Sequence, residues 1–388
     1  MRATLRFHRR VTWLATAGLA ALAAACGGGD GMNSMPGATA MGCMSMSMSG
    51  DGGMSCMAPT VTLQSPGASV HLTVRLSASV TAVRMDDRIM QVDFLVDGAP
   101  AGTATMAPYT IEWDSTTVSD GTHTLTASAV DSMGMMATSA PLSVSVDNNP
   151  SFAVSLSPAQ LMPAPTSAAS GTASLAAKLA SGALSGQVML SGMAATAVTL
   201  NEAFAGNSGA PLITLRAGAG SGQWDLPAGA LLSSAQVTAL LQGRLYLIAA
   251  SAAHPGGEVR GQITPAGIMV SFAGMDGAQE VPPVSIAATG SAAVTVDTAA
   301  GTLSVHVHAA GVDDAMAAAV DDGAMGTTGG KLSTLAKDPV DPGHWSTELA
   351  AVSPADIADF EASRWYVNLA TPAQPAGAIR GQIDAPAP

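Results

Sequence analysis

Between residues 41 and 57 the chain carries Met41, Cys43, Met44, Met46 and Met48, then Met54, Cys56 and Met57. Thioethers and thiolates are soft donors, and soft donors select Cu(I) over hard cations. Each group holds a Cys-Met pair with further methionine beside it, which makes the segment a candidate copper site. Cys43 and Cys56 offer a different chemistry, a small loop-closing disulfide. The reading adopted is a third one, a disordered, flexible linker without a specific metal. Residues 27–58 are rich in Gly, Ser and Met and hold no helical or strand period from which a core could be built. A second constellation is His306-Val307-His308. Alternate strand residues point to one side, so the two imidazoles share a face while Val305 and Val307 take the other. Such a pair suits a transition metal. No third ligand is evident, His344 being the only later histidine, and two solvated strand residues is the reading adopted. Asp313, Asp314, Asp321 and Asp322 lack the ligand-spaced loop of a calcium site. No GxSxG, no HExxH, no Gly-rich phosphate loop after a strand and no catalytic Cys-His set is present. The expectation is therefore no enzyme and no cofactor.

The elements that must position these residues begin with an export segment. Residues 1–10 are basic and residues 11–25, VTWLATAGLAALAAA, are apolar without a break. That stretch is short for a membrane span, which takes about 20 residues, and it has the order of a secretory signal. Leu22-Ala23-Ala24-Ala25-Cys26 resembles a bacterial lipobox, with Ala23 in the slot usually held by leucine. The resemblance implies cleavage before Cys26, lipid on its sulfur and anchoring in the cell envelope. Gly27 in place of Asp implies the outer membrane. The 388 residues carry 15 Lys and Arg against 28 Asp and Glu. Loss of Arg2, Arg6, Arg9 and Arg10 with the signal leaves 11 against 28, a net charge of −17. A surface that acidic repels phosphate backbones, which excludes nucleic acid as a partner. The expected partners are the membrane, through the lipid, and an extracytoplasmic protein or glycan. All three cysteines lie in the first 56 residues, so the folded part has neither disulfide nor thiol chemistry.

From Pro59 the pattern turns to alternation. VTLQSP, QVDFLVDG, YTIEWD, HTLTASAVD and APLSVSVD each read as a strand closed by turn residues. Asp97-Gly98 and Asp120-Gly121 are turn dipeptides. The spacing predicts a sandwich of short strands, and residues 60–146 resemble bacterial Ig-like modules. Without a Cys pair, Trp113 and Phe94 are the expected large core side chains. His71 and His123 are expected to be exposed.

Beyond residue 150 the chain repeats itself. Phe152 matches Phe272, Gln160 matches Gln279, and Gly171 matches Gly290. Gly222-Gln223-Trp224 matches Gly343-His344-Trp345, Tyr246 matches Tyr366, and Arg260-Gly261-Gln262-Ile263 matches Arg380-Gly381-Gln382-Ile383. The offsets all fall between 119 and 121 residues, which marks a tandem duplication. Gln279-Glu280-Val281-Pro282-Pro283, Gly301-Thr302-Leu303, the Gly-x-Trp pair and the two Arg-Gly-Gln endings resemble the CHRD module, named after chordin. The resemblance implies a β-sandwich binding module, although a fold analogy does not transfer a ligand. Many such modules carry His-x-His and a later Val-His. Here Thr199 and Asn201 stand at the first pair's positions in copy one, Ala319 and Asp321 in copy two, and Ala250 and Ala370 replace the later histidine. That pattern argues against an inherited metal site. Ser291–Val296 and Leu303–Ala309 predict a hairpin, and Ser233–Gln242 and Ser353–Glu361 predict capped helices. Arg260 and Arg380 are expected to brace a loop.

The sequence thus predicts an all-β chain of tandem β-sandwich modules. These are a signal peptide at 1–25, a tether at 26–58, an Ig-like sandwich at 59–147, and CHRD-like sandwiches at 152–264 and 271–384.

Overall fold

A computed structural model describes residues 58–82 and 88–386. The signal segment, Cys26, Met41, Cys43, Met44, Met46, Met48, Met54, Cys56 and Met57 lie outside the described residues. The described part is built almost wholly of β-strands with two short helices.

In the first module, Thr60–Leu63, Thr73–Thr81 and Tyr109–Asp114 form one sheet. The other is centred on Ile89–Val96 and Gly121–Asp131. Alternation works as expected: Val92, Phe94 and Val96 point inward between half-exposed neighbours. Phe94 and Trp113 are both buried in the core. The hairpin from Val96 to Ala99 turns through Asp97 at φ 49° and Gly98 at φ 80°, the positive angles that a tight two-residue turn requires. His123 departs from expectation. It is buried, with Nδ1 2.6 Å from Asp97 Oδ2 and Nε2 2.8 Å from Ser119 O. The Asp97 carboxylate, then the Ser119 carbonyl, raise its pKa above the ordinary value. Strand alternation does not register that a turn aspartate folds back over it.

Residues 147–151 join this module to the next without slack. The Asn148 side chain accepts from Leu72 N at 2.8 Å, and its carbonyl accepts from Leu179 N at 3.0 Å. One residue thereby ties a loop of the first module to a turn of the second.

The two copies share one strand order. In copy one, Ser151–Leu156, Ser170–Lys178, Ala183–Ser191 and Gln223–Asp225 lie in one sheet, with Arg216–Ala217 at its edge. The other sheet runs Pro211–Thr214, Ala195–Glu202, Leu245–Ser251, Val259–Gln262. In copy two the corresponding strands close into a barrel. The difference is local. Copy one breaks the edge segment at buried Leu215, so its two halves pair with different sheets. Copy two runs one strand, Gly330–Lys337, which pairs with Ala317–Asp322 and then with His344–Ala351. The predicted hairpin forms with Val294 opposite Val305. Both helices, Ser234–Leu241 and Pro354–Glu361, carry complete capping boxes on Ser233 and Ser353, which satisfy amide groups that a helix start leaves open.

Candidate functional site

Three histidines meet on the outer face of copy two. The strand Thr302–Ala310 is bonded to His344–Ala351 with His308 directly opposite His344. His306 and His308 share one face by alternation, as expected. Register then adds His344, the residue that reading along one strand does not join to them. His306 Nδ1 lies 3.3 Å from His344 Nε2. The rings are 8° from parallel with centroids 5.5 Å apart, so those nitrogens sit head-on between the rings. His308 stacks on His344 at 4.6 Å. Two carboxylates flank the row: Asp338 Oδ2 is 3.5 Å from His344 Nδ1, and Glu348 Oε1 is 3.3 Å from His306 Nε2.

The expectation of solvated histidines is corrected here. His306 is 1% exposed. What covers it comes from copy one. Gly206, at φ +84°, comes so close that a Cβ there would meet His306 Cβ at 2.9 Å, and its carbonyl is 2.9 Å from His308 Nε2. Phe204 and Gln242 of copy one face Thr295 and Ser304 of copy two across a cavity of about 170 Å³. Burial, then the neighbouring His344, His308 and Arg260, push His306 down to about 3. Burial likewise lowers His308. At neutral pH His306 is uncharged, and its Nε2 makes no hydrogen bond. Among the described residues no group of three or more His, Cys, Asp or Glu side chains is arranged to hold a metal ion. In copy one the matching positions hold Gln187, Met189 and Gln223. There Gln223 Nε2 donates to Gln187 Oε1 at 3.2 Å on an exposed surface.

The duplicated Arg-Gly-Gln endings do brace loops. In copy one the Arg260 guanidinium lies 3.6 Å over the Tyr246 ring. It donates to the carbonyls of Asn207 and Phe204 and to Gln262 Oε1. Gln262 Nε2 donates to Ala203 O and Gly243 O, and Gln160 Oε1 accepts from Gln262 N. Copy two repeats the network. Arg380 lies 3.5 Å over Tyr366 and donates to Thr327 O, Ala324 O and Gln382 Oε1, and Gln279 Oε1 accepts from Gln382 N. These arginines have their Nη donors engaged by their own chain, in the stacked manner suited to guanidinium, while Arg260 Nε has no partner.

The positions at which related modules carry imidazoles are occupied differently in the two copies. Thr199 Oγ1 donates to Asn201 Oδ1 at 2.6 Å and Asn201 Nδ2 donates to Gly209 O at 2.8 Å, a closed local set. In copy two, Ala319 and Asp321 are both buried, and burial raises the Asp321 carboxyl. Ala250 and Ala370 are half-buried.

Comparison with known proteins agrees with this architecture. The bacterial Ig domain matches residues 59–127 and the CHRD domain matches residues 152–263 and 272–383. No curated protein matches the chain. Among solved structures, fibronectin(III)-like modules of Clostridium thermocellum CbhA share 34% identity over 22% of this chain and 93% of theirs. The TM-score is 0.18, too low for the likeness to bear on the fold. The two CHRD matches together span more than half of the 388 residues, and the chain belongs to the CHRD domain family.

Proposed function

We propose that this chain is a membrane-anchored extracytoplasmic lipoprotein whose Ig and CHRD modules bind a protein or glycan partner. Modules of these two kinds are structural or binding units. The observation that carries the reading is how the duplicated polar residues are used. Arg260, Gln262 and Gln160, and likewise Arg380, Gln382 and Gln279, are bonded to their own loops, which leaves no shared polar set for a common chemistry. The apolar run at 11–25 followed by Cys26 supports the anchor.

Fractionation tests the anchor. The wild-type chain is expected in the detergent-soluble membrane fraction, and Cys26→Ala is expected to be released or to keep its full precursor mass. A Cys26→Ala protein that stays with membranes at the wild-type mature mass refutes the anchor. Crosslinking in the native envelope followed by capture then identifies the partner. Tight Cu(I) binding by residues 27–58, held against a competing chelator, replaces the linker reading of the tether with a copper-handling one. Stoichiometric metal bound beyond the tether would reassign His306 and His308 as ligands.

A further inference from the structure

The two copies differ in chemistry at one matched spot. Gly257 in copy one and Gly377 in copy two occupy it, one repeat apart. A Cβ on Gly257 would meet Ile248 Cδ1 at 2.5 Å and Leu161 Cδ2 at 3.4 Å. A Cβ on Gly377 would meet both Glu280 carboxylate oxygens at 2.5 Å and Asn368 Oδ1 at 2.6 Å. The repeat offset equates Leu161 with Glu280 and Ile248 with Asn368. Copy one therefore shows that two aliphatic side chains suffice for the fold there.

Copy two replaces them with two polar side chains, and no other residue donates to Glu280 Oε1 or Asn368 Oδ1, although Glu280 is itself a donor when it is protonated. Glu280 is 7% exposed, and neither its Oε1 nor Asn368 Oδ1, both buried, has a hydrogen-bond partner. The Asn368 amide is oriented by Nδ2, which donates to Ala376 O at 3.0 Å, so Oδ1 is the atom that remains for Glu280's side. The oxygens all lie within about 5 Å of one another, given their distances to the same point. Buried acceptors without donors lose their hydration and receive nothing in return. Glu280 also lines a cleft of about 520 Å³ with Val281, Pro283 and Met325 along its apolar side.

We propose that copy two binds a primary alkylammonium at the Glu280 end of this cleft, donating N–H to the Glu280 carboxylate with its alkyl chain along Val281, Pro283 and Met325, while Asn368 stands behind Glu280 and does not line the cleft. An ammonium carries three donors and no acceptor, which matches an ionised carboxylate. Among the described residues no group of three or more His, Cys, Asp or Glu side chains is arranged here to hold a metal ion. Arg380, beside the cleft, keeps its Nη donors on Thr327, Ala324 and Gln382. Its charge opposes the ligand, and the nearby Asp321 carboxyl favours it. Burial raises Glu280 to about 7, so a proton competes with the ligand. Arg380, Asp321, Lys331 and Tyr366 are the other charged or titratable groups around the spot. The ammonium comes from a lysine side chain of a partner or from a free diamine. The proposal rests on the binding-module reading and not on the lipid anchor, which the Cys26→Ala fractionation tests separately.

The test is calorimetric titration of the full-length chain in detergent with cadaverine and, separately, with Nα-acetyl-lysine amide. Saturable binding is expected with a Kd of about 1 mM or tighter. From Glu280 ionisation alone the affinity should be about 30-fold weaker at pH 5.5 than at pH 8. The double variant Glu280→Leu/Asn368→Ile carries copy one's own pair and should fold and lose binding. Tighter binding of the lysine derivative identifies a protein partner, and tighter binding of cadaverine a free diamine. Absence of saturable binding at pH 8, equal binding by the folded double variant, or displacement of the amine by Ca²⁺ at this spot overturns the proposal.

Discussion

Acidification should act on copy two through two buried groups with opposite signs, and variants should separate them. His306 has an ordinary pKa of 6.5 and is pushed down to about 3 in the fold. Between those values the unfolded chain binds a proton that the native chain refuses. Stability from this residue is therefore complete above pH 6.5 and is lost as pH falls toward 3. Going from pH 7 to pH 5 costs about 2 kcal/mol on this account. Glu280 runs the other way. Its carboxyl is raised from 4.5 to about 7, so the native chain binds the extra proton. Its contribution is complete below pH 4.5 and is lost as pH rises through 7, which returns about 2 kcal/mol over the same drop. The two nearly cancel in the wild type.

His306→Gln keeps only the Glu280 effect and should gain about 2 kcal/mol in stability from pH 7 to pH 5. Glu280→Gln keeps only the histidine effect and should lose about as much. The readout is urea unfolding followed by tryptophan fluorescence at pH 5, 6 and 7, with midpoints converted at a common slope. Titrating groups distant from both residues, such as His123, are common to the three proteins and drop out of the comparison. Equal pH slopes for wild type and His306→Gln would refute the claim that this imidazole is held neutral between the copies.

Three further outcomes follow from the same geometry. Arg380→Ala should destabilise copy two by about 3 kcal/mol, since it strips donors from two buried carbonyls and Gln382. Arg380→Lys should rescue little because a single ammonium cannot reproduce the fork and the stack; unchanged urea midpoints would show that the loop stands without its brace. Gly343→Ala should cost about 2 kcal/mol, because a Cβ there would stand 2.4 Å from Ala309 O, and wild-type thermal stability in that variant would contradict the close approach. Limited proteolysis should cut residues 27–58 while the rest of the chain persists, and a protected tether in metal-free buffer would rule out the flexible linker.

Much of the fold was legible because it depends on short-range rules. Period-two alternation located Ile89–Val96, Gly121–Asp131 and the 289–310 hairpin. Hydroxyl residues before apolar helical spacing located both helices, down to the capping serines. The constant repeat offset identified the duplicated modules, and Arg260 and Arg380 were readable as braces because each precedes Gly-Gln near a strand end. The site was less legible. His344 joins His306 and His308 only through strand register, a long-range fact, although its place in the Gly-x-Trp anchor beside a paired strand was a usable signal. Glu280 and Asn368 stand far apart in sequence. Side-by-side comparison of the copies, Leu161 against Glu280 and Ile248 against Asn368, contained the contrast without showing that the residues meet.

The misreading of the histidines has a definite physical origin. Alternation assumes that a strand has one wet face. In copy one that holds: Ser170–Lys178 alternates exposed and buried without exception. In copy two the equivalent strands, Thr289–Asp297 and Thr302–Ala310, are each buried over five consecutive residues. The second face is dry because Phe204 and Gly206 of copy one come against it. Duplication created two modules with the same inner pattern, and packing one on the other made an outer face into an interior. The residues there differ accordingly: exposed Gln187 and half-buried Gln223 stand in copy one where copy two has buried His306 and half-buried His344. An imidazole suits such a place because it is flat, neutral when buried and still able to take a hydrogen bond on either edge. Where a tandem repeat shows polar residues in one copy and aromatic or imidazole residues at the same positions in the other, contact between the copies is therefore the first explanation to test, ahead of a ligand. The Glu280 and Asn368 pair is the reverse case. Copy one is apolar and copy two polar, and in copy two the two acceptors have no donor. Packing of one copy on the other explains the histidines; for these two oxygens the amine titration separates a bound donor from the proton that Glu280 itself takes up.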